Sequence, residues 1–339
     1  MNNFDQTAPL VSVCIANYNG ATIIADCIAS VLAQECGFPV EIIVHDDAST
    51  DASVELIRRE FPQVRLLESN GNVGFCISNN RMAAAASGKY LLLLNNDATL
   101  MPGALSTLQR NAESIRTPAI LTLPQYNAAT GQLIDAGCLL DPFLNPVPNL
   151  ELIRKDVGMV IGACLWIPKT LWNQIGGFPE WFGSIAEDLY ICCVARLWGY
   201  HVIALPDSGY LHAVGLSFGG GKAVKMRLMI SKKRRQLSER NKNLAMLLCY
   251  PTAMLALFPL HILLLLIEGI VLSALKCKAD IFLDIYWNSL RSSWRMRSLI
   301  LQKRREVQRA RTSSLKEFAG THTWVPHKLA LLCKYGVPR

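Results

Sequence analysis

The chain has 339 residues, of which 51% are hydrophobic, so it can bury a large core, and its length suggests about two domains. Its charge is uneven: residues 1–221 carry 11 Lys and Arg against 20 Asp and Glu, whereas residues 222–316 carry 20 against 5. The eleven cysteines form no C-x-x-C pair, which argues against a disulfide scaffold or zinc site and favours a reducing compartment.

The first hundred residues alternate between short apolar strands and amphipathic helices. Strands are predicted in LVSVCIANY, VEIIVHDDAST, VRLLES and KYLLLLNND. Helices are predicted in GATIIADCIASVLAQ, DASVELIRREF and GFCISNNRMAAAA, the second of them capped by Ser49, Thr50 or Asp51. Continuous apolar strands separated by such helices predict an α/β fold with a mostly parallel central sheet, buried on both faces and flanked by helices.

Beyond Pro118 the alternation is less regular. NAATGQLIDAG is typical of a hairpin or acceptor loop, and VGMVIGACLWIP of one more strand. KTLWNQIGGF predicts a short helix and AEDLYICCVARLWGY an amphipathic helix.

Residues 244–267 contain no Lys, Arg, Asp or Glu. This uncharged segment is long enough for one bilayer crossing. Both flanks are strongly basic, so the positive-inside rule disfavours a single crossing. Pro251 and Pro259 offer break points, and we expect a re-entrant hairpin or helices in the membrane interface. The alternative is a buried helical pair within a soluble or oligomeric protein. The predicted organisation is a domain at 1–221, a basic connector at 222–243, a helical membrane-associating region at 244–320 and a tail at 321–339.

Three polar clusters follow predicted strands: ANYNG, HDDASTD and NND. In a doubly wound sheet such ends converge on one crevice, where several carboxylates suit Mg²⁺ or Mn²⁺ bridging a diphosphate. Each cluster alone has a structural alternative, since DDASTD and Asp97 could both cap helices.

The ordered motifs from residue 8 to residue 243 resemble glycosyltransferase family 2, the inverting group with the GT-A fold, and are closest to its rhamnosyltransferase-like members of bacterial surface polysaccharide synthesis. The resemblance rests on Asn17–Gly20, His45–Asp51, Asn72–Met82, Asn95–Asp97, GGFPEWF with Glu187–Asp188, then His212, Gly215 and Ser217, and finally Arg240–Asn241. Departures are Tyr190, where a further acid is common, and Pro179 in place of an acid after GGF.

This resemblance implies a role for each matched position. Asp188 would be the general base, Asp97 the metal ligand with His212 as a further ligand, and Asp46 the acceptor for the nucleotide base. Trp181, Phe182 and Glu187 would lie on the acceptor side. SFGGGK would form a lid over the diphosphate, with Lys222 and Arg240 beside it. The remaining donor-binding positions are Ala16, Asn17, Tyr18, Asn19, Asn72, Gly74, Asn79, Asn95 and Asn96.

The expected activity is metal-dependent transfer of a sugar from a UDP- or dTDP-sugar to a lipid-linked or glycan acceptor. The resemblance favours dTDP-rhamnose as the donor. The N-terminus, MNNFDQTAPL, lacks the regions of a signal peptide, so we expect the protein on the cytoplasmic side of an anionic membrane, peripheral or re-entrant, and not on nucleic acid. Two alternatives stay open: a nucleotidyltransferase, although ANYNGAT lacks its Gly-rich basic loop, and a non-enzymatic membrane adaptor built on residues 222–316.

Overall fold

The computed structural model describes residues 8–213, 222–224, 227–229 and 231–335. Its first part alternates strands and helices as the hydrophobic pattern predicts. The elements are β1 Val11–Asn17, α1 Ile24–Leu32, β2 Val40–Asp46, α2 Ser53–Glu60, β3 Arg65–Glu68, α3 Phe75–Ala85, β4 Tyr90–Asn95, β5 Ala98–Leu100, α4 Ala104–Ser114, β6 Ala119–Thr122, β7 Gln125–Asn127, β8 Leu133–Asp135, β9 Cys138–Leu140, β10 Pro146–Pro148, β11 Cys164–Pro168, α5 Lys169–Ile175, α6 Glu187–Leu197, β12 His201–Ala204 and β13 Tyr210–His212.

Seven strands form the main sheet, in the order β12-β6-β11-β4-β1-β2-β3. Strands β1 to β4 run parallel, whereas β11 lies antiparallel between β4 and β6. The four leucines of β4 alternate between two cores: Leu91 and Leu93 face the α3 and α6 side, and Leu92 and Leu94 face the α1 and α4 side. Burial of each leucine stabilises the folded state by about 1.5–3 kcal/mol. A shift of β4 along the sheet would expose part of this run, so the run determines the position at which β4 ends.

A second sheet, in the order β5-β13-β7-β8, stands at the end of β4. Strands β7 and β8 form the hairpin predicted around NAATGQLIDAG. The antiparallel register of β13 and β5 pairs His212 with Ala98, so the residue before Ala98, Asp97, lies beside His212. This small sheet therefore joins two residues that are 115 positions apart in the chain.

Two local predictions are wrong. The strand predicted over residues 157–168 is confined to β11, because Gly158 N–H and Met159 N–H both donate to the Cys138 carbonyl and turn the chain away from the main sheet. The N-cap of α2 is Ala52, which makes no side-chain cap. Asp51 instead accepts a hydrogen bond from the Ser53 amide, 3.1 Å away, so it stabilises the first turn from one position earlier.

The C-terminal part is helical. Strands β14 and β15 form an antiparallel pair before α7, a helix of 18 residues that runs across residue 243. Its second half, from Leu244 to Cys249, is buried in the same core as α6. The basic connector and the start of the apolar run are thus one helix. The elements are β14 Lys222–Val224, β15 Arg227–Met229, α7 Lys232–Cys249, a 3₁₀ helix Thr252–Ala256, α8 Leu257–Lys276, α9 Ala279–Ile281, a π-helix Phe282–Trp287, α10 Asn288–Arg295, α11 Arg297–Arg309, α12 Leu315–Ala319 and α13 His327–Tyr335.

Pro251 separates α7 from the next helical segment, as predicted, whereas Pro259 lies in the first turn of α8 and does not break it. Within the described residues, Thr252–Lys276 is the segment long enough and apolar enough to cross a membrane, and only 22% of its apolar window is buried. The helix α8 is therefore not buried within the single chain, and the alternative of burial in an oligomer stays open. Its exposed apolar side chains include Leu263, Ile267 and Leu275.

The predicted tail packs back onto the first part of the chain. Thr323 N–H donates to the Leu140 carbonyl, and Leu140 N–H donates to the Thr321 carbonyl. Further along, His327 N–H donates to Asp141 Oδ2 at 2.8 Å. These contacts bring α13 against α7 and α8. All eleven cysteines, each among the described residues, are free thiols.

Candidate active site

Asn17, at the end of β1, joins the ends of three strands. Its Nδ2 donates to Asp46 Oδ2 at 2.9 Å, at the end of β2, and to Ser53 Oγ at 3.1 Å. Its Oδ1 accepts from Asn96 Nδ2 at 3.0 Å, just after β4. An amide can donate and accept at once, whereas an ionised carboxylate only accepts. This explains why amides stand at both positions 17 and 96.

Gly20 is required by the close approach of these amides. A Cβ at this position would lie 2.1 Å from Asn17 Oδ1 and 2.6 Å from Asn96 Nδ2. We expect Gly20→Ala to break the Asn17–Asn96 contact and to lower the free energy of unfolding by about 2–4 kcal/mol. Urea unfolding measures this. The matched control is Gly37→Ala, where the added Cβ has no atom within 4 Å. Equal stability of the two variants would contradict this account.

The two carboxylates after β2 organise the surrounding loops. Asp46 accepts from the Ser49 amide at 2.8 Å and from Ser49 Oγ at 2.7 Å, in addition to Asn17. Asp47 accepts from the amides of Val73 and Gly74 at 2.6 and 2.9 Å. Both carboxylates are at least 95% buried. The role of Asp46 in reading the nucleotide base stays a prediction, and Asp47 has the separate task of holding the loop before α3.

Asp97 and His212 lie in direct contact. His212 Nε2 and Asp97 Oδ1 are 3.0 Å apart, and the Asp97 side chain has no solvent exposure. On the other side of the ring, Gln125 Nε2 lies 3.0 Å from His212 Nδ1, and Gln125 Oε1 accepts from the Tyr210 hydroxyl. Asp97 caps no helix, since the N-cap of α4 is Gly103 without a side-chain cap. The cap alternative for Asp97 is therefore wrong.

This pair is compatible with a hard divalent cation that receives its other ligands from a substrate. The described residues contain no group of three or more His, Cys, Asp and Glu side chains that could enclose a metal ion. Mg²⁺ typically takes only one or two protein carboxylates and completes its shell with substrate phosphates and water. One buried carboxylate beside one imidazole fits that pattern, and does not fit an all-protein cage.

Asp188 begins α6 and is oriented by two backbone amides. Its Oδ2 accepts from Gly162 at 3.0 Å and its Oδ1 from Leu189 at 2.7 Å. Gly162 precedes Ala163, whose carbonyl accepts from the amide of Asn95 at the end of β4. Asp188 is therefore connected to the same sheet edge as Asn17 and Asp46. Burial raises the pKa of Asp188, and the hydrogen bonds to Gly162 and Leu189 partly offset that increase.

Glu187 is buried beside Asp188, and its Oε2 has no hydrogen-bond partner among the described residues. Burial, followed by the charge of Asp188, raises the pKa of Glu187 well above its usual range. The structural alternative for this pair, that both carboxylates merely complement the helix dipole, does not explain an unpartnered buried oxygen.

The raised pKa of Glu187 predicts a pH-dependent stability. A carboxyl whose pKa is higher in the folded state than in the unfolded chain stabilises fully below the unfolded value of about 4.3, and this contribution is lost as pH rises through the folded value. Between pH 5 and pH 8.5 the parent protein should lose free energy of unfolding as Glu187 ionises. We expect the loss in Glu187→Gln to be smaller than the loss in the parent protein, by more than about 1 kcal/mol. Urea unfolding at both pH values tests this. Parallel pH profiles would show that Glu187 is ionised throughout.

The predicted acceptor side is partly corrected. Phe182 is completely buried and packs on Trp181 and Tyr190, so it belongs to the core and is not an acceptor wall. Trp181 is half-buried and stays a candidate. Arg240, on α7, donates to the carbonyls of Trp181 and Phe182. It holds this loop in place, and its predicted contact with a diphosphate stays a prediction.

The other donor-side residues differ in exposure. Tyr18 and Asn72 are exposed, and Ala16 and Asn95 are half-buried and face each other across β1 and β4. Asn79 is buried and donates to the Phe75 carbonyl of its own helix, so its predicted part in shaping the donor cleft stays a prediction.

Two turns that approach this side depend on left-handed backbone. Asn19 has a φ of 51°, and its Oδ1 accepts from the Thr50 amide. Gly74 has a φ of 91° and begins α3. Gly215, Ser217 and the predicted lid up to Gly221 lie outside the described residues, as does the side chain of Lys222.

Several organising residues escape sequence reasoning. Gly162 and Gln125 each orient a predicted site residue, but their type and position give no signal in one sequence. Ser49, which donates to Asp46, lies within the His45–Asp51 motif and is detectable there. Asn80 is detectable in principle, because it belongs to the Asn72–Met82 motif. Its side chain joins α3 to the GGF loop through the Phe178 amide and carbonyl, at 3.0 and 2.9 Å.

The sheet order, the small sheet beside β4 and the polar strand ends define a GT-A fold. Solved glycosyltransferases share it: a structure of GalNAc-T7 with UDP, GalNAc and Mn²⁺ has a TM-score of 0.57 at 16% identity, covering 72% of this chain and 48% of that one. The family model "Glycosyl transferase family 2" matches residues 12–169. Residues 12–169 therefore match glycosyltransferase family 2, in agreement with the predicted family.

The matching curated relatives include one named for succinoglycan biosynthesis and one named as a rhamnosyltransferase. The succinoglycan biosynthesis protein ExoO of Rhizobium meliloti is 36% identical over 61% of this chain and 61% of its own length. The N-acetylglucosaminyl-diphospho-decaprenol L-rhamnosyltransferase of Mycobacterium tuberculosis is 26% identical over 53% of this chain and 69% of its own length. An uncharacterized M. tuberculosis protein is 38% identical over 31% of this chain, a match that spans 33% of that relative.

Proposed function

We propose that the protein is a metal-dependent, inverting glycosyltransferase that moves a sugar from a UDP- or dTDP-sugar, with dTDP-rhamnose favoured, to a lipid-linked acceptor in cell-surface polysaccharide synthesis. The observation that carries the proposal is the set of contacts along one sheet edge. Asn17 joins Asp46 to Asn96, and Gly162 and Ala163 join Asp188 to Asn95. The rhamnosyltransferase relative, named for a diphospho-decaprenol substrate, supports a lipid-linked acceptor.

The residues at this edge suit direct displacement at the anomeric carbon. Asp188 takes the proton of the acceptor hydroxyl as its oxygen forms the new glycosidic bond, and the bond from the anomeric carbon to the diphosphate breaks. Both Asp188 oxygens already accept one backbone hydrogen bond, and a carboxylate has about four acceptor positions, so its geometry is fixed while capacity remains. A raised pKa makes Asp188 a stronger base once it is ionised.

Asp97 and His212 would hold Mg²⁺ or Mn²⁺, which when bound neutralises charge on the departing diphosphate. Gln125 orients the imidazole of His212 from its far side. A partner that hydrogen-bonds the far nitrogen of a metal-binding imidazole fixes the ring tautomer and typically affects metal affinity 10- to 100-fold.

We infer a location on the cytoplasmic side of an anionic membrane, peripheral or re-entrant, from the exposed apolar face of α8 and the neighbouring cations. Trp294 is 71% exposed, and the Arg297 guanidinium lies 5.3 Å from its ring centre. Amphipathic aromatic rings beside cations are typical of side chains at the headgroup level. Nearby Lys and Arg residues contribute about 1 kcal/mol each on anionic lipid.

A screen of nucleotide sugars with Mg²⁺ or Mn²⁺ tests the function. The expected result is thermal stabilisation and diphosphate release with one UDP- or dTDP-sugar, and neither without metal. Pyrophosphate release from a nucleoside triphosphate and a sugar phosphate would instead favour the nucleotidyltransferase. Binding to anionic vesicles without any nucleotide-sugar response would favour the adaptor.

A further inference from the structure

A cavity of about 880 Å³ lies between α7, α8 and α13, away from the Asp97–His212 pair. This volume is within the range of about 300–1,000 Å³ that is common for small-molecule sites. Its α8 wall is apolar and includes Leu264, Leu265 and Val271, and α13 contributes Leu329 and Leu331. The lining therefore suits a hydrocarbon chain.

This cavity opens onto the exposed apolar face of α8. Leu264, Ile267 and Val271 line the cavity, and they are also 41%, 47% and 47% exposed. A chain inside the cavity could therefore continue along this face into a bilayer without crossing polar surface.

Cations of α7 also line the cavity, beside its apolar α8 wall. Lys232 is paired with Asp280 and Asp284, and Arg235 with Glu268. Arg234 also lines the cavity, and among the described residues its guanidinium forms no ion pair or hydrogen bond. A half-buried guanidinium that forms no hydrogen bond or ion pair with the described residues is suited to phosphate oxygens, which it can bind in a bidentate way.

The cavity also reaches the turn before α6. Ile185 lines the cavity three residues before Asp188, and Asn241 Nδ2 holds this turn by donating to the carbonyls of Ser184 and Ile185. The positive charge of Arg234 also lowers the pKa of Asp188 against the larger effect of burial. Arg234 thus lies between the apolar cavity and the carboxylates of α6.

We propose that this cavity is the acceptor site for a long-chain lipid with a diphosphate headgroup, whose chain lies along α8 and whose phosphates contact Arg234. The sugar beyond the diphosphate then extends to Asp188. This inference rests on the proposed function, since it specifies the acceptor of that same site.

Binding of decaprenyl diphosphate in detergent to the purified full-length protein tests the proposal. Two matched pairs separate the cavity from its surroundings: Arg234→Gln against Lys233→Gln, and Val271→Trp against Ile270→Trp. The first member of each pair alters a lining residue, and the second alters an adjacent residue that does not line the cavity. We expect Arg234→Gln and Val271→Trp to weaken binding at least tenfold, and the controls to stay within twofold of the parent protein.

Decaprenol, which lacks the phosphates, should bind at least tenfold more weakly than the diphosphate, and inorganic diphosphate should not displace the lipid. A cooperative thermal unfolding transition with a Tm close to that of the parent protein, in all four variants, establishes that they are folded. Lipid binding that is equal within each pair overturns the cavity assignment, even if sugar transfer occurs. If lipid binding is weakened only in Arg234→Gln and Val271→Trp, but no nucleotide sugar supports transfer, the cavity binds the lipid and the proposed function is wrong.

Discussion

Asp188→Asn is expected to lower kcat for sugar transfer about 10²- to 10⁴-fold, the usual contribution of a general base. The amide keeps the shape of the side chain and still accepts from one of the two amides, of Gly162 and Leu189, that orient it. It cannot take a proton from the acceptor hydroxyl. Initial rates with saturating donor measure the effect, and the KM for the nucleotide sugar should change by less than threefold.

Glu187→Gln is the matched comparison for this variant. Burial raises the pKa of Glu187, so an amide resembles the protonated form that the folded protein favours at neutral pH. We expect a loss of less than tenfold in kcat. If Glu187→Gln abolished transfer and Asp188→Asn spared it, the base would be Glu187 and the assignment within this pair would be reversed.

Asp97→Asn is expected to abolish metal-dependent binding of the nucleotide sugar. With donor and Mn²⁺ at about 100 times their dissociation constant, the parent protein should gain about 2.7 kcal/mol of stability, which corresponds to a rise in Tm of about 4 °C. The variant should lose this gain, because its amide carries no charge to hold the cation beside His212. Thermal unfolding with and without Mn²⁺ measures it.

Asp207→Asn is the control for the metal experiment, since Asp207 is an exposed carboxylate before β13. It should retain the full metal-dependent rise in Tm. The assignment of Asp97 as a metal ligand fails if both variants respond to Mn²⁺ like the parent protein. It also fails if both variants lose the response, because removal of any acidic charge would then be the cause.

The order of elements in the first hundred residues is predictable because the strands are buried on both faces. In β4 every residue from Leu91 to Leu94 is apolar, and alternate side chains enter different cores. The antiparallel placement of β11 could not be predicted, since a short apolar run looks the same in either direction. Its direction depends on the turn at residues 157–162, which is fixed by contacts with Cys138 and Asp188.

The site is predictable where a polar residue directly follows a buried strand. Asn17, Asp46 and Asn96 follow this rule, and the structure joins them by hydrogen bonds. Burial is not readable from residue type alone, so the sequence does not predict that Phe182 and Asn79 are in the interior. Gln125 lies 87 positions from His212, and no local pattern connects such partners.

Because α7 continues from the cation-rich segment into the main core, the C-terminal region is not a detachable anchor. A truncated form ending at residue 243 would lose Leu244, Met246 and Leu248, each completely buried. It would expose the hydrophobic surface that these side chains cover, and we expect such fragments to be recovered as aggregates. Soluble expression is better sought by replacing exposed leucines of α8 than by shortening the chain.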